Sequence, residues 1–145
     1  MRHGFVRLGV LAVAMLLLGA ACSKSSSESS EEGGKTITIG GDSANDHGTK
    51  AVSGNSFELE ADNEGSDFYF DPTILTGSPG QKVTLEVKNE GDTEHNFTLE
   101  DQNIDQDIDT GKSVKVTVTF PQSGVLEFYC KYHRGSGMVG ELKAS

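Results

Sequence analysis

From residue 57 onward apolar and polar side chains alternate with a period of two. The runs are Phe57-Glu58-Leu59, Phe68-Tyr69-Phe70, Val83-Thr84-Leu85-Glu86-Val87, Phe97-Thr98-Leu99, Val114-Lys115-Val116-Thr117-Val118-Thr119-Phe120 and Leu126-Glu127-Phe128. Successive strand residues point to opposite faces, so each run predicts a strand with one dry and one wet side. Breaks fall at Gly77-Ser78-Pro79-Gly80, Asn89-Glu90-Gly91-Asp92, Asp109-Thr110-Gly111-Lys112 and Pro121-Gln122-Ser123-Gly124, sequences rich in turn formers and spaced as in a sandwich. No window of helical period competes with them. A further strand is expected over residues 139–143. The pattern predicts an all-β domain over residues 57–145, a single antiparallel Greek-key β-sandwich, with Phe97, Phe120 and Phe128 in its core.

Upstream the pattern is different. Residues 1–21 carry Arg2 and Arg7 ahead of an apolar run, 8–18, that is too short to span a bilayer comfortably, the form of an export signal. Leu18-Gly19-Ala20-Ala21-Cys22 resembles the bacterial lipobox, with Gly19 standing where Leu is commonest. That resemblance implies a lipoprotein signal peptide removed after residue 21, lipidation of Cys22, and a membrane-anchored protein outside the cytoplasm. Residues 23–35 hold no apolar side chain able to seed a core, so residues 22–56 read as a Ser-, Gly- and acid-rich tether and loop. The tether proper reaches roughly 20 Å, from about 5–6 Å times the square root of its residue number. Within it, Thr36-Ile37-Thr38-Ile39 alternates β-branched residues and could form a short strand, whereas residues 40–48 read as turn chemistry. His47 could belong to a second metal site. Without neighbouring donors it fits a solvated loop better.

Charge narrows the partners. With Lys and Arg at 12 and Asp and Glu at 22, the chain carries −10, and loss of Arg2 and Arg7 with the signal leaves −12. Such a surface repels nucleic acid. The densest acidic run, Glu100, Asp101, Asp105, Asp107 and Asp109, reads equally well as a solvated loop or as a docking patch. An apolar share of 34 % that still includes the signal leaves a small core, and with only two cysteines, Cys22 and Cys130, no internal disulfide is expected to support it. A bound metal would add stability by favouring the folded state.

The chemistry gathers in Phe128-Tyr129-Cys130-Lys131-Tyr132-His133-Arg134-Gly135-Ser136-Gly137-Met138, which puts a thiol, an imidazole and a thioether on one loop. This soft set favours copper over calcium, magnesium or manganese; zinc competes, but a thioether is a poor fourth ligand for it. A second imidazole would complete a blue-copper set, and His95 in Glu94-His95-Asn96-Phe97 is the candidate. Cys-x2-His-x4-Met after an aromatic strand, with an upstream His-Asn-Phe, resembles the plastocyanin and azurin group of cupredoxins over residues 57–142. The resemblance implies a cupredoxin-like sandwich holding one type 1 copper ion through His95, Cys130, His133 and a long axial contact from Met138. It also implies that Asn96 hydrogen-bonds the ligand loop and holds the site closed. Lys131 and Tyr132 depart from the Ser, Thr or Pro that the group commonly has after the Cys.

The function expected from this set is electron transfer by cycling between Cu(I) and Cu(II), in a monomer without enzymatic activity that exchanges electrons with cytochromes or membrane oxidoreductases. The alternative is copper delivery or buffering, for which exposed Met- or His-rich tracts would be the usual sign. A copper oxidase needs more imidazoles than His3, His47, His95 and His133 supply, and a binuclear centre with two bridging thiolates is excluded by the cysteine count.

Overall fold

A computed structural model describes residues 35–145. The export signal, Cys22 and the first part of the tether lie outside the described residues. Among the described residues twelve strands follow one another: β1 Lys35–Ile39, β2 Asp42–Asp46, β3 Thr49–Ala51, β4 Ser56–Glu64, β5 Asp67–Asp71, β6 Ile74–Gly77, β7 Lys82–Asn89, β8 His95–Leu99, β9 Ile104–Ile108, β10 Ser113–Thr119, β11 Val125–Tyr129 and β12 Val139–Ala144. They form a four-stranded sheet in the order β10-β7-β4-β5, a six-stranded sheet in the order β3-β6-β12-β11-β8-β9, and the separate β1-β2 hairpin. Each expected strand is present.

The period-two pattern becomes the core directly. In β7 the buried positions are Val83, Leu85, Val87 and Asn89, with the residues between them exposed or half-buried. Val83, Leu85 and Val87 meet Leu75, Phe97, Leu99, Phe128 and Leu142 of the other sheet in one apolar cluster, closing the sandwich. At its centre Phe70 lies edge-on to Phe97 and Phe128, with ring centroids 6.2 and 5.1 Å apart, while Phe97 and Phe128 are 5.1 Å apart. Phe120 is also buried.

Where the chain must reverse, turn chemistry does the work. Lys112 N–H donates to Asp109 O at 3.0 Å, and Gly111 between them has φ +70°, a conformation that a side chain would oppose. Three ladders are parallel where antiparallel pairing was expected: β4 with β7, β6 with β12, and β3 with β6. Residues 42–46, read as turn, are a strand, and so is Ile104–Ile108 inside the acidic run.

Candidate metal centre

β8 is buried on both faces. Alternation puts His95 on the same side as Phe97 and Leu99, so its imidazole continues the core layer toward one end of the sandwich. That end is roofed by the turn after β7. There a Cβ on Gly91 would fall 2.7 Å from His95 Nε2 and 2.4 Å from Asn63 Oδ1, so only glycine allows this close approach. Next to β8 runs β11, whose Tyr129 pairs with Thr98 of β8 and with Val139 of β12. Cys130 therefore leaves the sheet beside β8.

The ligand loop is two turns folded into a closed hairpin. His133 N–H donates to Cys130 O at 3.1 Å, Met138 N–H to His133 O at 3.2 Å, and Cys130 N–H to Met138 O at 3.0 Å. Between them Arg134–Ser136 makes one turn of 3-10 helix, ended by Gly137 at φ +94°. These bonds explain the spacing, because they bring Cys130 and His133 together and return Met138 alongside both. Cys130 Sγ lies 3.5 Å from His133 Nδ1, and the His95 and His133 rings are 5.2 Å apart at 72°. Donor atoms of His95, Cys130 and His133 all lie within 4.8 Å of one another. Bonds of about 2.0–2.3 Å to one ion would leave tetrahedral donors roughly 3.3–3.8 Å apart, so the three fit around one ion with little movement. Met138 is fully buried within the same core cluster.

The test of fit is His95. It is wholly buried, and neither ring nitrogen has a hydrogen-bond partner. An orphaned buried polar atom ordinarily costs about 1–3 kcal/mol, and here a metal ion would satisfy it. Burial above all, and then the neighbouring His133, depress the His95 pKa to about 4; burial also lowers that of His133 and raises that of the Cys130 thiol. At neutral pH all three are uncharged, and loading a metal displaces the thiol proton alone.

A stability consequence follows for the copper-free domain. The folded pKa of His95 lies below the ordinary 6.5, so as pH falls the unfolded chain takes up the proton first. Stability from this group is complete above about pH 6.5 and is lost between there and about pH 4, by up to about 3 kcal/mol. Urea unfolding of the copper-free protein at pH 7 and pH 4.5 measures this, and His95→Gln is expected to remove most of the difference. An equal acid loss in the variant would show that His95 is not its source.

Around the donors sits a polar layer. Asn96 Oδ1 accepts from Lys131 N–H at 3.2 Å and from the Thr98 hydroxyl at 2.6 Å, while its Nδ2 donates to Asp105 at 2.8 Å and Asp107 at 2.9 Å. Asn96 thus ties the ligand loop to β9. Lys131 Nζ pairs with the same carboxylates, at 2.9 and 2.7 Å. Lys131 and Asn96 together hold both carboxyls below the usual range. The acidic run is therefore no free loop: Asp105 and Asp107 neutralise the loop's own lysine, and Glu100 bonds the Tyr129 hydroxyl. Lys131, whose role the motif left undefined, gains one here.

One contributor has no signature in the sequence. Phe68, at the start of β5, stacks on His133 with centroids 4.0 Å apart and planes 13° from parallel, and lies edge-on to His95 at 6.2 Å. Its alternation marked it only as a strand residue; which ring it would meet depends on sheet order. His47 lies away from this site. Its ring stacks on Tyr69 at 3.4 Å, and its one carboxylate neighbour is Asp67 Oδ2 at 3.6 Å. Among the described residues only His95, Cys130 and His133 form a cluster of three potential ligands.

The comparisons agree with this fold. A family model described as a cupredoxin-like domain matches residues 10–142. The plastocyanin of Sambucus nigra is 27 % identical over 97 residues, 59 % of this chain and 96 % of that protein. Among solved structures, dithionite-reduced auracyanin of Roseiflexus castenholzii superposes with a TM-score of 0.53 at 19 % identity, over 65 % of this chain and 99 % of its own. Auracyanin A of Chloroflexus aurantiacus, described as a blue copper protein, gives 0.51 at 24 % identity, over 66 % and 100 %.

Proposed function

Because this chain belongs to the cupredoxin-like family and is a blue copper cupredoxin whose cofactor is one copper ion, we infer that it is a mononuclear electron carrier, held to a membrane outside the cytoplasm. Copper, when bound, supplies a one-electron Cu(I)/Cu(II) couple. The observation that carries the reading is the prebuilt donor pocket: the orphaned imidazole of His95 and the thiol of Cys130 are fixed in a dry core. A ligand set held this firmly limits rearrangement on gain or loss of an electron. Met138, returned to the site by its backbone bonds with Cys130 and His133, would supply a thioether to the ion in this reading. Asn96 keeps the loop seated.

Exposure supports exchange at the His133 edge. His133 is the one half-buried donor among buried ones, and the neighbouring Tyr132 is among the few large apolar side chains that stand out in solvent, 48 % exposed. An electron reaching the site crosses least protein through the His133 edge. Basic redox partners, cytochromes or membrane oxidoreductases, suit the charge of −12 left once Arg2 and Arg7 go with the signal, and would bind more slowly as salt rises. Asp105 and Asp107 together outweigh Lys131 by one negative charge, so the docking charge comes from them only in part and otherwise from the remaining acids.

The experiment that tests the reading follows both the electron and the metal. Copper-loaded protein is cycled with a reduced cytochrome and, separately, mixed with an apo-acceptor for copper. A carrier exchanges electrons repeatedly and keeps its copper; stoichiometric transfer of copper with redox exchange at background would establish delivery instead.

Anchoring rests on Cys22. One acyl chain binds a bilayer only marginally and stable attachment takes two lipid signals, so a doubly acylated cysteine is needed. Cys22→Ala is expected to move the protein to the soluble fraction or leave it unprocessed. Recovery of that variant on membranes at mature size would overturn the anchor.

A further inference from the structure

The strand β2 has the sequence Asp42-Ser43-Ala44-Asn45-Asp46, among the poorest strand formers by composition. It is nevertheless a strand, and its contacts show why. Ala44 is wholly buried with Ile39 and Val139, giving the hairpin a small apolar foot. Two of its polar side chains, those of Asp42 and Asn45, reach the ligand loop. Asp42 Oδ2 accepts from Arg134 Nε at 2.7 Å, just after His133 in the ligand loop.

Asn45 makes the densest set of these contacts. Its backbone N–H donates to Gly137 O at 2.9 Å, and its Nδ2 donates to Ser136 O at 3.0 Å and to Phe68 O at 2.9 Å. A carboxamide nitrogen has two hydrogens, and both are used. The fit is close: a Cβ on Gly137 would stand 2.7 Å from Asn45 Nδ2, so the approach requires glycine there, as φ +94° also does. The two carbonyls on the loop immediately precede Met138. The third belongs to Phe68, whose ring stacks on His133.

We propose that Asn45 is a positioning residue for the metal centre: its carboxamide fastens the loop segment leading into Met138 to the backbone of the residue stacked on His133, fixing these two parts of the ligand set relative to each other. The β1-β2 hairpin thereby braces the end of the loop at Ser136 and Gly137, while Asn96, Asp105 and Asp107 hold its start through Lys131. The spectroscopic consequence rests on the copper reading above; the mechanical one does not.

The test is Asn45→Ala, which removes the carboxamide and keeps the backbone bond. In the copper-free protein, amide exchange at Gly137 and Met138 should quicken about tenfold, the effect of roughly one lost net hydrogen bond, while β7 amides exchange as in wild type. In the copper-loaded protein, the ratio of the visible thiolate bands and the copper hyperfine splitting should both shift. Lys35→Ala removes an ion pair of the same hairpin, Lys35 Nζ to Asp46 Oδ2 at 3.3 Å, without touching the carboxamide or its packing, and should change neither the loop exchange nor the spectrum. Asn45→Ser, too short to reach Phe68 O, should behave as Asn45→Ala does and serves if alanine prevents folding. Wild-type loop exchange and spectrum in the Asn45 variants, or the same changes in Lys35→Ala, would overturn the proposal. A wild-type protein that never turns blue would instead remove the copper reading, and the exchange measurement would still decide the role of Asn45.

Discussion

Replacing Cys130 by serine is expected to abolish the blue colour completely and to weaken copper binding by more than about 100-fold, beyond the 10–100-fold typical of losing an outer-layer partner. Among the described residues Cys130 is the free cysteine, and it is wholly buried. The intense visible band of a blue site is a thiolate-to-copper transition, and a hydroxyl cannot produce it. Serine is a harder donor that keeps its proton far above neutral pH, so copper would be left with two imidazoles and a thioether. The loop should survive the change, because the bonds that shape it are made by the backbone of Cys130, to Met138 O and from His133 N–H. Visible and paramagnetic spectra with a copper competition titration measure the outcome. A serine variant as blue as wild type would mean that another thiolate binds the metal, and Cys22 is the only other cysteine in the chain.

What the sequence shows plainly are the elements whose neighbours are already implied by their own pattern. Val83, Leu85 and Val87 alternate because one face of β7 meets the core, and that face can be read without knowing which strand lies opposite. The ligand loop is equally legible, since Cys130, His133 and Met138 come together through hydrogen bonds spanning at most eight residues. β2 and β9 were hidden for the opposite reason. Ala44 is the lone apolar residue of β2, and the strand exists because Asn45 and Asp42 find partners about ninety residues further along the chain. In β9, Asp105 and Asp107 look like solvated charge until Lys131 and Asn96 are brought against them. As an edge strand of the six-stranded sheet it also gains from that charge, which discourages pairing with another chain. Parallel pairing of β4 with β7 escapes a local reading as well, because strand order depends on crossovers that alternation does not encode.

The second large effect concerns the core that carries the site. Phe128 is wholly buried, touches Phe70 and Phe97, and lies two residues before Cys130. Its ring fills the space over Gly140 of β12, where a Cβ would fall 2.4 Å from it. Phe128→Ala empties that space beneath the β11-β12 ladder, from which Cys130 and Met138 emerge. Truncations of this kind cost about 3–5 kcal/mol, a large part of the 5–15 kcal/mol that stabilises an ordinary domain. The copper-free variant should therefore melt on the order of 15–25 °C below wild type. Copper bound only by the folded state adds RT ln(1 + [L]/Kd), about 4 kcal/mol at 1,000 times Kd, which is enough to offset the cavity. Phe128→Ala is thus expected to fold only marginally without copper and to recover a cooperative transition with it. Thermal unfolding of both forms, followed by circular dichroism, is the measurement. A copper-free variant within about 1 kcal/mol of wild type would show that the sheets close over the cavity, and that the ligand loop does not depend on the aromatic cluster beneath it.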